Sequence, residues 1–172
     1  MKELGLKGNV KFIARSTYKA VEKFGEIEKD YLSSKYTDKY DEKGNVIEEN
    51  KYNADGSLRS FRPKTTYKYD ENGNKIEENW YNAGSLRYEF TYKYDEKGNK
   101  IEESWYNADG SLDAKYKSKY DEKGNEIEKN YYRYYRAEGS LSSKTTYKFE
   151  FDTTGNWITL TEIFNDKPTD LT

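Results

Sequence analysis

The sequence predicts an all-β protein: an antiparallel β-meander of about eleven strands built from repeated hairpins, forming an extended single-layer sheet, with a curled or closed barrel as the alternative. Three observations predict it. First, two turn signals alternate: "GN" at Gly44, Gly73, Gly98, Gly124 and Gly155, and "GSL" at Gly56, Gly84, Gly110 and Gly139. Reversals this frequent make neighbours in sequence neighbours in space. Second, the segments between turns alternate with period two: Leu86, Tyr88, Phe90, Tyr92 and Tyr94 on one side, Arg87, Glu89, Thr91, Lys93 and Asp95 on the other. Third, 17% of residues are aromatic, 19 of them Tyr, and Tyr suits a pleated, half-buried surface.

Taken in order, the strands are expected near 9–19, 29–41, 45–53, 57–70, 74–82, 85–95, 99–107, 111–121, 125–136, 140–152 and 156–165. The segment "AVEKFGEIEK" between the first two is the least repeat-like and reads as a long hairpin loop or one short helical turn. "RSFRPKTT" from Arg59 carries extra residues and Pro63, which suits a bulge or a sheet edge. "NAGS" at 82–85 lacks the Asp of its counterparts and reads as a two-residue turn. "NYYRYYRAEGS" from Asn130 extends a hairpin. The whole chain, 1–172, is expected to be one repeat-array domain: a less regular N-terminal hairpin over 1–35, repeats over 36–156, and a terminal strand and tail over 157–172.

The commonest turn has a mechanism. In "DEKGN", Asp95 suits the first position of a type I turn and Gly98 the left-handed position of a three-residue hairpin with a G1 bulge. If Asp95 pairs with Asn99, Tyr92 faces Glu102, Phe90 faces Ser104 and Tyr88 faces Tyr106. If Asn107 pairs with Ser111, Tyr106 faces Leu112, leading to Ala114, Tyr116, Ser118 and Tyr120. One face then collects Tyr, Phe and Leu, and the other Ile76, Trp80, Ile101 and Trp105 among charged residues.

Composition excludes several functions. Leu, Ile, Val and Phe together make 27 of 172 residues, below the fifth that marks an ordinary core. The 30 basic and 32 acidic residues nearly cancel, to a net charge of -2, so the chain does not swell by self-repulsion and has no electrostatic reason to hold nucleic acid. Cys and His are absent, which removes thiolate and imidazole chemistry. No metal site and no cofactor are expected. No apolar run has the length of a membrane span or a signal peptide, so no membrane insertion is expected, and any export signal lies outside this chain.

"YKYDENGN" (67–74), "YKYDEKGN" (92–99) and "KYDEKGN" (39–45 and 119–125) resemble the Tyr-Asp, or YD, repeats of RHS-type and other bacterial cell-surface proteins. Tyr40-Asp41, Tyr69-Asp70, Tyr94-Asp95 and Tyr120-Asp121 match the name-giving pair, and the last unit carries Phe151-Asp152 instead. The resemblance spans roughly 36–156. It implies β-hairpin arrays, an extracellular or cell-surface location, and carbohydrate binding or a shell. The toxin domain and the many repeats that a closed shell needs are not in this chain.

The strongest candidate site is the column four residues after each repeat's Ile: Lys51, Trp80, Trp105 and Tyr131. Alternate strands place such members roughly 10 Å apart, a spacing at which flat rings meet successive sugars. Trp80, Trp105 and Tyr131, with Arg87 and Glu89 nearby, are the expected ligand-binding residues, for a glycan or another surface protein. The competing reading is that the indoles only cover Ile and Lys stems. Paired carboxylates such as Glu102-Glu103 point to opposite faces and cannot flank one bond, so no catalytic residue is expected and the chain reads as non-enzymatic. Exposed sheet edges are sites for self-association.

Overall fold

The computed structural model describes residues 9–134 and 141–165. It has eleven strands: β1 (Phe12–Lys23), β2 (Glu26–Tyr40), β3 (Val46–Tyr52), β4 (Lys64–Tyr69), β5 (Lys75–Asn82), β6 (Ser85–Tyr94), β7 (Lys100–Asn107), β8 (Leu112–Tyr120), β9 (Glu126–Tyr134), β10 (Leu141–Phe151) and β11 (Trp157–Asn165). They form one sheet in the order β1 to β11, and among the described residues there is no helix. The order does not close on itself, so the closed-barrel alternative is not realised. The chain divides into two compact units between Arg87 and Tyr88, within β6.

The repeated loop has the expected geometry. Asp95 N–H donates to the Asn99 carbonyl and Gly98 N–H to the Asp95 carbonyl, both at 3.0 Å, and Gly98 stands at φ 86°, where a side chain would clash with its own backbone. The Asp does more than start the turn. Its Oδ1 accepts from Asn99 N–H at 2.8 Å and its Oδ2 from Asn99 Nδ2 at 2.9 Å. The same two-point clamp joins Asp41 to Asn45, Asp70 to Asn74, Asp121 to Asn125 and Asp152 to Asn156. It explains the Asn after each Gly, which turn propensity alone does not require.

The bulge moves the register by one residue from that expected. Tyr94 pairs with Lys100, but Lys93 already pairs with Glu102, so Ile101 is the unpaired extra residue. Phe90 therefore meets Trp105 rather than Ser104, Tyr92 meets Glu103 rather than Glu102, and Tyr88 meets Asn107 rather than Tyr106. Ile47, Ile76, Ile127 and Ile158 fall at the same skipped position of their hairpins. The "NADGS" loop adds a second bulge: Tyr106 does pair with Leu112, but Trp105 then pairs with Ala114 and skips Asp113. A one-residue slip carries every side chain to the other face. Trp105 thus shares a face with Phe90, Ala114 and Tyr116, and Trp80, paired with Thr65 two residues along from the Tyr67–Glu78 pair, lies on the Tyr67 face.

In the first unit, "AVEKFGEIEK" is neither a long loop nor a helical turn. β1 runs to Lys23, β2 starts at Glu26, and the two-residue turn Phe24-Gly25 has φ of 54° and 84°, the twist that suits a tight hairpin. Ala83-Gly84 makes the two-residue turn expected at "NAGS", with φ of 47° and 81°. The strand expected over 57–70 shrinks to β4. Arg59 N–H donates to the Lys51 carbonyl and Lys51 N–H donates to the Pro63 carbonyl, so one residue of β3 brackets a bulge over 60–62. Arg62, at φ 47°, is turned out of the ladder by it.

Among the described residues neither unit forms a dry core. The buried apolar residues described are Phe90, Ala114 and Tyr132, and the most enclosed polar ones, Thr65 and Ser104, are each 1% exposed. The side chains shield one another instead. In the first unit Glu48 takes Lys39 and Lys64, one from each neighbouring strand, both at 2.8 Å. Burial pushes the Glu48 carboxyl up, but hydrogen bonds from Lys39, Lys64 and Asn50 win and hold it down at about 2. In the second unit Glu102 takes Lys93 at 2.9 Å and Lys115 at 3.6 Å. Lys117 and Lys144 lie over the Tyr132 ring. Such cross-strand pairs each contribute a few tenths to about 1 kcal/mol, while the Lys stems cover the rings.

Candidate functional site

The bulges gather a row of rings in the second unit. Phe90 on β6 meets Trp105 on β7 edge-on, with centroids 5.6 Å apart. Trp105 meets Tyr116 on β8 at 5.5 Å, and Tyr116 stacks on Tyr131 of β9 at 4.7 Å and 29°. Tyr88 adds a further contact to Phe90 at 6.4 Å. Phe90 is buried; Trp105, Tyr116 and Tyr131 are half-buried. Small residues make the row possible. Ala114, 0% exposed, stands opposite Trp105 and leaves the indole room to reach Tyr116.

Polar groups rim the row. Trp105 Nε1 donates to Glu103 Oε1 at 2.6 Å, and Glu103 also takes the Lys100 ammonium. Lys100 lies 5.3 Å over the Tyr92 ring and Lys129 5.2 Å over the Tyr116 ring. Arg133 Nη1 donates to the Tyr131 hydroxyl at 3.4 Å. Burial, then the neighbouring Tyr131 and Glu103, pushes the Tyr116 hydroxyl up, so it stays protonated at neutral pH. The arrangement offers apolar ring surface flanked by hydroxyl donors, carboxylates and cations. No nucleophile paired with a base stands among these residues.

Trp80, in the first unit, is differently placed. The Arg62 guanidinium lies over its ring at 3.6 Å. Arg62 also bonds Glu78 at 3.2 Å, and Glu78 accepts from the Trp80 indole N–H and from Lys75. Burial pushes the Glu78 carboxyl up, but Lys75, Trp80 and Arg62 together pull it below its ordinary value. One indole face is therefore taken by a stacked cation.

Of the expected site residues, Trp105 and Tyr131 share one row, bridged by Tyr116. Trp80 belongs to the other unit, beneath Arg62. Glu89 pairs with Tyr106 and so lies on the face opposite Phe90 and Trp105; Arg87, two residues earlier on β6, is exposed. Lys51 pairs with Tyr36, over which Arg59 lies at 5.2 Å. Phe90 and Tyr116 were missed as members of the row, because an unshifted register puts Phe90 opposite Ser104 and, with Tyr106 against Leu112, Tyr116 opposite Glu102, away from Trp105. Arg62 was missed because nothing in its own neighbourhood marks its reach; the extra residues before Pro63 were the one signal.

Fold and repeats together define a single-layer antiparallel β-meander module. No protein-family model matches the chain, and no curated protein matches it. Chains of several solved structures are similar to it. A crystal structure of TcdB2-TccC3 matches 94% of this chain at 11% identity and TM-score 0.35. The Photorhabdus luminescens Tc holotoxin pore matches 91% at 14% identity and TM-score 0.35, and a crystal structure of TcdB2-TccC3-TEV matches 88% at 13% identity and TM-score 0.35. This chain spans 11–13% of the length of those chains.

Proposed function

We propose that the chain is a non-enzymatic surface or secreted β-sheet module that recognises a glycan or a protein through the row Phe90, Trp105, Tyr116 and Tyr131. One observation carries the reading: four rings from four successive strands touch in one line, and three of them keep part of their surface open to water. An apolar strip with polar groups at its rim suits the faces of sugars or the side chains of a partner. The absence of His and Cys from the sequence supports the non-enzymatic part. The surface location rests on the YD-repeat resemblance.

A second reading has its own observation. The indole N–H groups already bond Glu103 and Glu78, and Trp80 is covered by Arg62, as in a purely structural spacer whose rings only hold the sheet. A glycan array with the wild type, Trp80→Ala, and Trp105→Ala combined with Tyr131→Ala separates them. The recognition reading expects binding that survives loss of Trp80 and disappears in the double variant. No bound glycan, or binding that outlasts both row residues, leaves the structural reading.

A further inference from the structure

The two ends of the strand order differ in chemistry. β1 carries Arg15, Lys19 and Lys23, all exposed, and a lysine-bearing edge resists pairing with other chains. Among the described residues β11 has β10 as its one neighbour, and from Trp157 to Asn165 it holds no Lys, Arg or Pro and one charge, Glu162. Trp157, Ile158, Leu160, Ile163 and Phe164 are 48–64% exposed. A window of β-branched and aromatic residues with so little charge on an open edge is a template for another strand.

Comparison within the chain sharpens this. Directly after the bulged Ile, β3, β5, β7 and β9 carry Glu48-Glu49, Glu77-Glu78, Glu102-Glu103 and Glu128-Lys129. The first Glu of each takes lysines from its neighbours. β11 has Thr159-Leu160 there, with no acid to receive a lysine, so a lysine-bearing strand such as β1 is a poor match. β11 matches itself. Two antiparallel copies centred on Thr161 set Ile158 against Phe164, Thr159 against Ile163 and Leu160 against Glu162. Each opposed pair then shares a face, and the two Glu162 carboxylates are never directly opposed.

We propose that β11 is a homodimerisation edge, pairing antiparallel with β11 of a second copy of this chain about a two-fold axis at Thr161. The contact is isologous and stops at two copies. One strand pair buries less than the roughly 1,200–2,000 Å² of a standard stable interface, so the dimer forms with an affinity on the order of 10 μM. The inference is independent of the ring row.

Sedimentation velocity of the 172-residue chain across roughly 1–200 μM, bracketing that affinity, tests it. The expected mass rises from 20.4 kDa to twice that value and goes no further. Leu160→Lys with Ile163→Lys abolishes the rise, and Phe12→Lys on β1 leaves it. Circular dichroism confirms that each variant keeps its sheet. Should the double variant unfold, Thr161→Lys, which places two lysines together on the axis, takes its place. A constant monomer mass, growth beyond two copies, or a dimer indifferent to the β11 lysines overturns the proposal. A wild-type dimer lacking concentration-dependent amide protection in β11 overturns it equally.

Discussion

Trp105→Ala probes how much the ring row holds the sheet. A fully buried Trp replaced by Ala costs about 3–5 kcal/mol, and Trp105 is half-buried, which brings the transfer and cavity part to about 2 kcal/mol. Its contacts with Phe90 and Tyr116 each contribute about 0.5–1.5 kcal/mol beyond area. Overlap between these terms places the loss at about 2–3 kcal/mol, and the thermal midpoint falls by roughly 5–10 °C. Glu103 keeps Lys100 as a partner, so no carboxylate is orphaned. Urea unfolding followed by circular dichroism reads the loss, and Trp105→Phe, which keeps a ring between Phe90 and Tyr116, recovers most of it. A Trp105→Ala loss below about 0.5 kcal/mol, the range of ordinary surface changes, refutes the reasoning. So does a Trp105→Phe protein as weak as the Ala variant, which would assign the effect to the indole N–H.

Three further outcomes are expected. The Asn partner depresses the carboxyl pKa of Asp41, Asp70, Asp95 and Asp121 below the ordinary value, and Thr154 followed by Asn156 does the same for Asp152. Depressed groups contribute stability that is complete above the unfolded value near 3.9 and lost as pH falls through the folded one. The urea midpoint therefore stays flat from about pH 7 to 5 and declines below about pH 4; a midpoint that rises on acidification contradicts the clamp. Gly98→Ala has no atom within 4 Å of the new Cβ, so its cost is backbone strain alone, about 1–2 kcal/mol at φ 86°; a neutral result in thermal unfolding would show that the loop relaxes. Phe24 is fully exposed at φ 54°, a conformation Asn tolerates better, so Phe24→Asn raises stability by about 0.5–1 kcal/mol, and a loss would mean that the Phe ring has a packing role.

The strands were legible because turn and alternation signals act locally. Every "DEKGN" and "NADGS" loop lies where Asp, Asn and Gly place it. Register was not legible from alternation, because a G1 bulge consumes Ile101 without altering the pattern on either side of it. That one residue separates a sheet with Trp105 on the face of Ile101 from the observed one, with Trp105 against Phe90. The Phe24-Gly25 turn was hidden by Phe, which has no preference for positive φ. The long β4 failed because the residues before Pro63 leave the ladder at Lys51, a contact supplied by a different strand. Of the site, Trp105 and Tyr131 were visible as a repeated position; Tyr116 between them needed the register, and Arg62 over Trp80 needed the bulge.

The central claim is that bulged hairpins bring rings of successive strands into one row. Cross-strand nuclear Overhauser contacts in a solution NMR spectrum test it most directly. The account predicts contacts from the Phe90 ring to the Trp105 indole and from Tyr116 to both Trp105 and Tyr131. Contacts from Phe90 to Ser104, with the Trp105 indole turned to the opposite face, would contradict it.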